Sequence, residues 1–215
     1  MSSRLRIAMV LVLAFTWAGA FSAHAEEIKL VLVGQTHAAL YPCHCPVEPD
    51  GGIARRATLL KELARKNRNL IVIDSGSFFA GGPMDQNTKG EELDRVRSAI
   101  HAKAMQAMGY DAAALGEDEF NHGTQFLRDS FAGSKTALVS ANIESDFTVP
   151  FVVKKFANAV VGIVGVTSPA AGAKAAGLKF IDPAEAVGAA VDAAKKQGAG
   201  VIVLVSGLDE NANQA

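Results

Sequence analysis

Short apolar runs alternate with longer amphipathic ones along this chain. Ile28 to Val33 and Leu70 to Ile73 are brief and rich in branched side chains, which predicts buried strands. Between them, Ile53, Leu59, Leu60 and Leu63 recur at roughly helical spacing with Lys and Arg on the opposite face, which predicts a helix over Ile53 to Lys66. Glu91 to Met108 reads as a second helix, acidic at its start as the helix dipole favours, with Gly109 as a stop. Asp111 to Leu115 and Thr136 to Ser140 read as short strands, with a short helix over Thr124 to Phe131 between them. Two β-rich runs flank Ala157-Asn158 within Phe151 to Val166, as in a hairpin. Ala184 to Gln197 is a further helix and Val201 to Val205 a last buried strand, followed by a polar tail, Asn211 to Ala215. This alternation predicts an α/β fold, a mainly parallel sheet with helices on its faces.

Composition narrows the picture. The 215 residues are 49% hydrophobic and 20% charged, which suits a globular domain with a real core. The formal net charge of −1 gives no reason to expect a nucleic-acid polymer as partner. Arg4 and Arg6 precede an apolar run from Ile7 to Phe21, and Ala23-His24-Ala25 follows as a small-x-small site. This pattern predicts a signal peptide over residues 1–25, export to the periplasm or beyond, and a single mature domain over 26–215. No stable membrane span is expected after cleavage. Exported thiols meet oxidising surroundings.

The loops that follow the strands carry the candidate chemistry. Ligands of an open parallel sheet bind beyond the carboxyl ends of its strands. Gln35 to Cys45, Asp74 to Ser77 and Glu117 to His122 each follow a predicted strand, so they should converge on one rim. Cys43 and Cys45 are the two cysteines, held in Tyr41-Pro42-Cys43-His44-Cys45-Pro46. Three readings of this loop stand open. The pair forms a small strained disulfide suited to redox work. Or it binds zinc or copper together with His37, His44 or His122. Or it is inert, or an attachment point. Arg55 and Arg56 follow Gly51-Gly52 at a helix start, where they can face an anion or serve as surface charges. His101 reads as structural or solvated, His122 as a loop residue or a ligand, and Asp74 as a cap on the Gly76 turn.

Several segments resemble a known family in order and spacing. Val33-Gly34-Gln35-Thr36-His37, Ile73-Asp74-Ser75-Gly76-Ser77 and Leu115-Gly116-Glu117-Asp118-Glu119-Phe120 resemble the D-x-H, D-x-G-D and G-N-H-E-F motifs of 5′-nucleotidases. Gly51 to Lys61 is similar to the family's G-G-x-A-R-x-A-T-L-x-K segment, and Ala107 to Ala112 to its M-G-Y-D-A. Ser140 to Ile143 and Val161 to Pro169 match as well. The resemblance implies the N-terminal metallophosphatase (calcineurin-like) domain of that family, an α/β/β/α sandwich with two metal ions at its strand ends, here truncated at the C-terminus.

The resemblance also implies a damaged site. Gln35 and Ser77 stand where the family has metal-binding Asp, Glu117 where it has Asn, and Asp118 where it has a catalytic His. His37 matches a family ligand, whereas Gly207 replaces a ligand His. Two-metal activation of water is then not expected to be efficient. A divergent nucleotidase-like branch with Cys or selenocysteine in the first loop is also similar, which implies thiol chemistry there. The resulting expectation is an exported, catalytically degenerate metallophosphatase-like protein. Cys43, Cys45 and Asp118 are its candidate catalytic residues, and His37, Cys43, His44, Cys45, Glu117 and His122 its candidate ligands for Zn, Cu or Mn. A small molecule or redox partner, and a chain covering the unfinished sheet, are the expected partners. The alternatives are a phosphoester hydrolase with rearranged ligands and a non-catalytic binding or scaffold module.

Overall fold

The computed structural model describes residues 27–43 and 50–214. The expected signal peptide, His44 and Cys45 lie outside the described residues. Four strands, β1 (Lys29–Val33), β2 (Leu70–Asp74), β3 (Ala112–Ala114) and β4 (Ala137–Val139), form one wholly parallel sheet in the order β1-β2-β3-β4. Between them run the helices α1 (Ile53–Lys66), α2 (Glu91–Ala107) and α3 (Thr124–Phe131). After β5 (Ile143–Glu144) come β6 (Phe151–Lys155) and β7 (Val160–Val166), the expected hairpin. Then follow β8 (Lys179–Phe180), α4 (Pro183–Lys196) and β9 (Val201–Ser206), which lies parallel to β7 in a three-stranded sheet.

The two sheets pack face to face, because the central strands are apolar on both sides. Ile71, Ile73, Ala112, Ala114 and Val139 point inward to meet Val161, Ile163 and Val205 of the second sheet. The alternate residues Val72 and Ala113 point to the helices and join Leu60, Phe78, Phe79, Met105 and Leu127. This period-2 division makes two cores, and α4 covers the far side of the second sheet. The result is an α/β/β/α sandwich. Gly165 sits where the sheets approach most closely: a Cβ there would lie 2.2 Å from the Val139 carbonyl oxygen. Any side chain at that position forces the layers apart.

Some details differ from the expectation. β5 and β8 pair antiparallel in a small separate ribbon, too short to leave a periodic signal. Residues expected to be a polar tail form a short helix, α5 (Glu210–Gln214), whose start is tied by Ala212 N–H to the Asp209 carboxylate at 2.8 Å. At the edges, β1 leaves Leu30 and Leu32 exposed, and β9 leaves Val201 and Leu204 exposed.

Candidate active site

The first site loop leaves β1 in a conformation that L residues avoid. Gln35, His37 and Ala38 have φ of 50°, 44° and 49°, and Ser77, in the loop after β2, has φ of 54°. Such residues are costly, about 1–3 kcal/mol each, and persist where surrounding contacts dictate them. Here the contacts are a loop-to-loop ladder. The amides of Gln35, His37 and Ala38 donate to the carbonyls of Gly76, Ser77 and Phe78, each at 2.9 Å. The two loops are thereby zipped together at the carboxyl ends of their strands.

Two charged residues hold this ladder from beneath. Arg97 of α2 donates to the carbonyls of His37 at 2.7 Å and Ala38 at 3.4 Å. The same guanidinium is bound by Asp85 at 2.9 Å and Asp94 at 2.8 Å. Burial tends to raise both carboxyls. For Asp85 the Arg97 guanidinium and the Gly81 and Asn87 amides outweigh it, and for Asp94 the Thr88 hydroxyl, the Lys89 amide and Arg97 do so. Both therefore sit below the usual carboxylate range. Glu119, fully buried, accepts four backbone N–H groups. Its Oε1 takes those of Phe78 and Phe79 at 2.7 and 3.2 Å, and its Oε2 those of Ser77 and Gly116 at 3.1 and 2.6 Å. Burial raises this carboxyl to about 7 although all four amides pull it down.

The expected site residues are placed unevenly. His37 and Asp118 come together: Nδ1 of His37 lies 3.2 Å from Oδ2 of Asp118, both side chains largely buried, without the alignment of a hydrogen bond. Lys174 reaches within 4.0 Å of Asp118 Oδ1 and donates to Asn121 Oδ1 at 2.8 Å. Gln35 and Glu117 are exposed. Ser77 presents a hydroxyl, and Gly207 offers only backbone, its N–H donating to Val166 at 2.8 Å. His122 turns away into an aromatic pocket, 3.0 Å from the Ser98 hydroxyl and edge-on to Phe126. Burial, then Arg95, lowers its pKa.

Arg55 is exposed on the surface of α1. Arg56 turns inward, to His101 Nε2 at 3.1 Å and the Tyr110 hydroxyl at 3.4 Å. A guanidinium only donates, so His101 carries its proton on Nδ1. Burial, then the charges of Arg56 and Arg97, push His101 down to about 3, so it is neutral. Cys43 is exposed at the mouth of a cavity of about 560 Å³ that Tyr41, Lys89 and Arg97 also line. Gly52, with φ of 80°, lets the chain fold back on itself there, since a Cβ would lie 2.8 Å from the nitrogen of Pro42. Asp50 closes the loop: its N–H donates to Cys43 Sγ at 3.2 Å and its carbonyl accepts from Cys43 N–H at 2.7 Å.

A two-metal centre needs several anionic and imidazole donors aimed at one point. Among the described residues no three of His, Cys, Asp and Glu gather in that way. The neutral or absent side chains at Gln35, Ser77 and Gly207, with His37 against a carboxylate, do not fit such a centre.

Asp74 is the remaining buried acid. Its Oδ1 accepts from Gly76 N–H at 3.0 Å, the expected cap, while Oδ2 has no partner. Burial pushes it up to about 8, so the folded protein holds it protonated at neutral pH. Its folded pKa exceeds its unfolded one, so its contribution to stability is complete below pH 4 and declines as pH rises to 8. The decline is at most about 1.4 kcal/mol per pH unit. Asp74→Asn keeps the cap and removes the titration. Urea unfolding from pH 4 to pH 8 should show the variant gaining on the wild type as pH rises. Parallel curves would mean that Asp74 is ionised in the fold.

Sequence reasoning missed Arg97, Asp85, Asp94 and Glu119. Glu119 lies within the Leu115 to Phe120 motif, and Asp94, Ser98 and His101 put polar groups on the buried face of α2, which was the available signal.

Comparison with known proteins agrees with this architecture. No protein-family model matches the chain. It is 30% identical to a 5′-nucleotidase of Diplobatis ommata over 172 residues, 74% of this chain and 28% of that protein. It is 31% identical to the trifunctional nucleotide phosphoesterase protein YfkN of Bacillus subtilis over 100 residues, 45% of this chain and 7% of that protein. Among solved structures, the 5′-nucleotidase precursor of Thermus thermophilus superimposes with a TM-score of 0.74 and 28% identity, over 86% of this chain and 38% of that one. The chain therefore spans less than half the length of these proteins. In sequence and in fold, this chain resembles the N-terminal metallophosphatase (calcineurin-like) domain of the 5′-nucleotidase family.

Proposed function

We propose that this is an exported 5′-nucleotidase-like domain that is not an efficient phosphoesterase, and that its Cys43-His44-Cys45 loop serves metal binding or thiol redox chemistry. The observation that carries the first half is Asp118 against His37, 3.2 Å apart. The retained imidazole is paired with a carboxylate, and that anion repels a phosphoester where the family has a histidine. Gln35, Ser77 and Gly207 offer no negative charge to hold two cations together. The second half rests on the cysteine spacing, the flanking prolines and the position of Cys43 at a cavity on the same loop as His37. Two thiolates with His37 or His44 make a donor set for zinc or copper. Without metal, the same thiols can close to a disulfide, giving two electrons and two protons to a disulfide partner. Export rests on the N-terminal pattern alone. Among the described residues no helix is long and apolar enough to cross a membrane.

The test is elemental analysis of anaerobically purified protein, a free-thiol count on the same sample, and an assay of nucleoside monophosphate hydrolysis with added Mn²⁺. We expect zinc or copper near one per chain that is lost in the C43A/C45A double variant, or else a reversible two-electron thiol titration. Hydrolysis should stay near background. Two metal ions per chain that survive the double substitution, with rapid hydrolysis, would establish a phosphoester hydrolase with rearranged ligands. That second reading is favoured by the relatives, which are named as nucleotidases and phosphoesterases. No metal and inert cysteines would leave a binding or scaffold module.

A further inference from the structure

Helix α2 carries large apolar side chains on its solvent-facing side, opposite the face that enters the core. Its inner face packs into the core through Ala102 and Met105, with Asp94, Ser98 and His101 in the buried polar network. On the outer face Leu93, Val96 and Ile100 recur at intervals of three and four residues, 56%, 51% and 45% exposed. Exposed Ala107 continues the line. A helix that is apolar all round is normally buried, and the outer face of a solvent-facing helix is normally polar. Helix α1 follows the usual rule: Arg55, Thr58, Lys61, Glu62 and Arg65 are exposed there, and Leu59 stands alone. Two of the cations of α2 leave its stripe open, and the third, Lys103, stands on its flank between Ile100 and Ala107. Arg95 turns aside to lie 4.4 Å over the Phe126 ring, and Arg97 is held by Asp85 and Asp94.

We propose that this face is an interface between two copies of the chain, packed as antiparallel α2 helices about a two-fold axis. The charges at its margin select this occupant. Glu92 and Lys103 are both exposed, near opposite ends of the stripe, and helical geometry puts them on the same flank of it. In an antiparallel pair a given flank meets its own copy on the partner. Leu93 then lies opposite Ile100 of the second copy, and Glu92 near Lys103, twice by symmetry. Antiparallel packing also opposes the helix dipoles favourably. A membrane surface fits less well, because a helix lying on anionic lipid is rimmed with Lys and Arg, and this one opens with Glu91 and Glu92. The stripe is short, so the expected dimer is weak, as suits an interface at the small end of the range.

Sedimentation equilibrium tests this on protein expressed from residue 1 and purified as the host processes it, from about 2 to 200 µM. The wild type should pass from monomer to dimer across that range. Val96→Glu with Ile100→Glu should stay monomeric throughout, and since both side chains are exposed the thermal midpoint should be unchanged. Glu92→Lys alone places like charges opposite each other twice and should weaken the dimer about fivefold or more. Adding Lys103→Glu exchanges the two charges and should restore the wild-type constant within a factor of about two. A wild type that is monomeric at 200 µM overturns the proposal and leaves the stripe to a different protein. So does a dimer that the Val96/Ile100 double variant keeps, or a charge exchange that fails to rescue.

Discussion

Replacing Glu119 by alanine should destabilise the domain by roughly 3–5 kcal/mol, a large fraction of what a domain of this size has. The side chain is wholly buried, and its two oxygens are the acceptors for the amides of Ser77, Phe78, Phe79 and Gly116. Alanine leaves four donors facing a void, and each unpaired buried N–H costs about 1–3 kcal/mol, reduced where water can enter. Glu119→Gln separates charge from shape. Its oxygen can serve one pair of amides, while its NH₂ faces the other pair donor to donor. At pH 8, where the wild-type carboxyl is largely ionised, urea unfolding should place Gln between wild type and Ala. A Gln variant as stable as the wild type at that pH would show that the four amides do not require an anion. The consequence reaches the site, because these amides set the loop in which Ser77 has its left-handed backbone. Loss of Glu119 should speed amide hydrogen exchange at Ser77 to Phe79 even under conditions where the domain stays folded.

The second large effect is expected at Arg97. Removing one partner of a buried ion pair leaves the other uncompensated, at about 3–5 kcal/mol. Asp85 and Asp94 have side-chain exposures of 0% and 3%, so Arg97→Ala strands two carboxylates at once. It also removes the donors that hold the carbonyls of His37 and Ala38. Arg97→Lys should recover part of the stability only, since an ammonium cannot reproduce the planar fork that bridges two acids and two carbonyls. The pH dependence has a definite sign. Asp85 and Asp94 have folded pKa values below their unfolded ones, so their stabilisation is present above about pH 4 and disappears as pH falls further. The gap between wild type and Arg97→Ala in urea midpoint should therefore be wide at pH 7 and narrow at pH 3. An equal gap at both would mean that packing of the arginine stem, and not its charge, is what matters.

Both residues bear on how much was legible beforehand. Helix α1 falls where its apolar spacing put it, from Ile53 to Lys66, and α3 where a short helix was expected, from Thr124 to Phe131. The strands of the parallel sheet also fall where short apolar runs stood, branched in β1 and β2 and alanine-rich in β3, within a residue or two at each end. Local pattern succeeds there because burial repeats with the period of the backbone itself. It fails at β5 and β8, which exist only because each finds the other across a long stretch of chain, and at α5, where a capping carboxylate organises a polar segment. The loops after β1, β2 and β3 were expected to meet on one rim, and the His37, Ser77 and Asp118 segments do so. Their order along the chain followed from the strands, but not which side chains face one another. Glu117 and Asp118 are adjacent in sequence, yet one is exposed and the other lies against His37.

The sequence by itself determined the alternation of strands and helices in this protein, the positions of its site loops and the residue types available there. Those properties depend on hydrophobic period, turn chemistry and donor identity, all of them local. The division of the strands into two packed sheets belongs to the tertiary structure. Only the tertiary structure decided how the charges are distributed: Arg97 between Asp85 and Asp94, Glu119 beneath four amides, Arg56 turned in to a neutral His101, and His122 withdrawn to Ser98. The physical reason is that a charge is placed by the cost of removing it from water, and that cost depends on every group that surrounds it after folding.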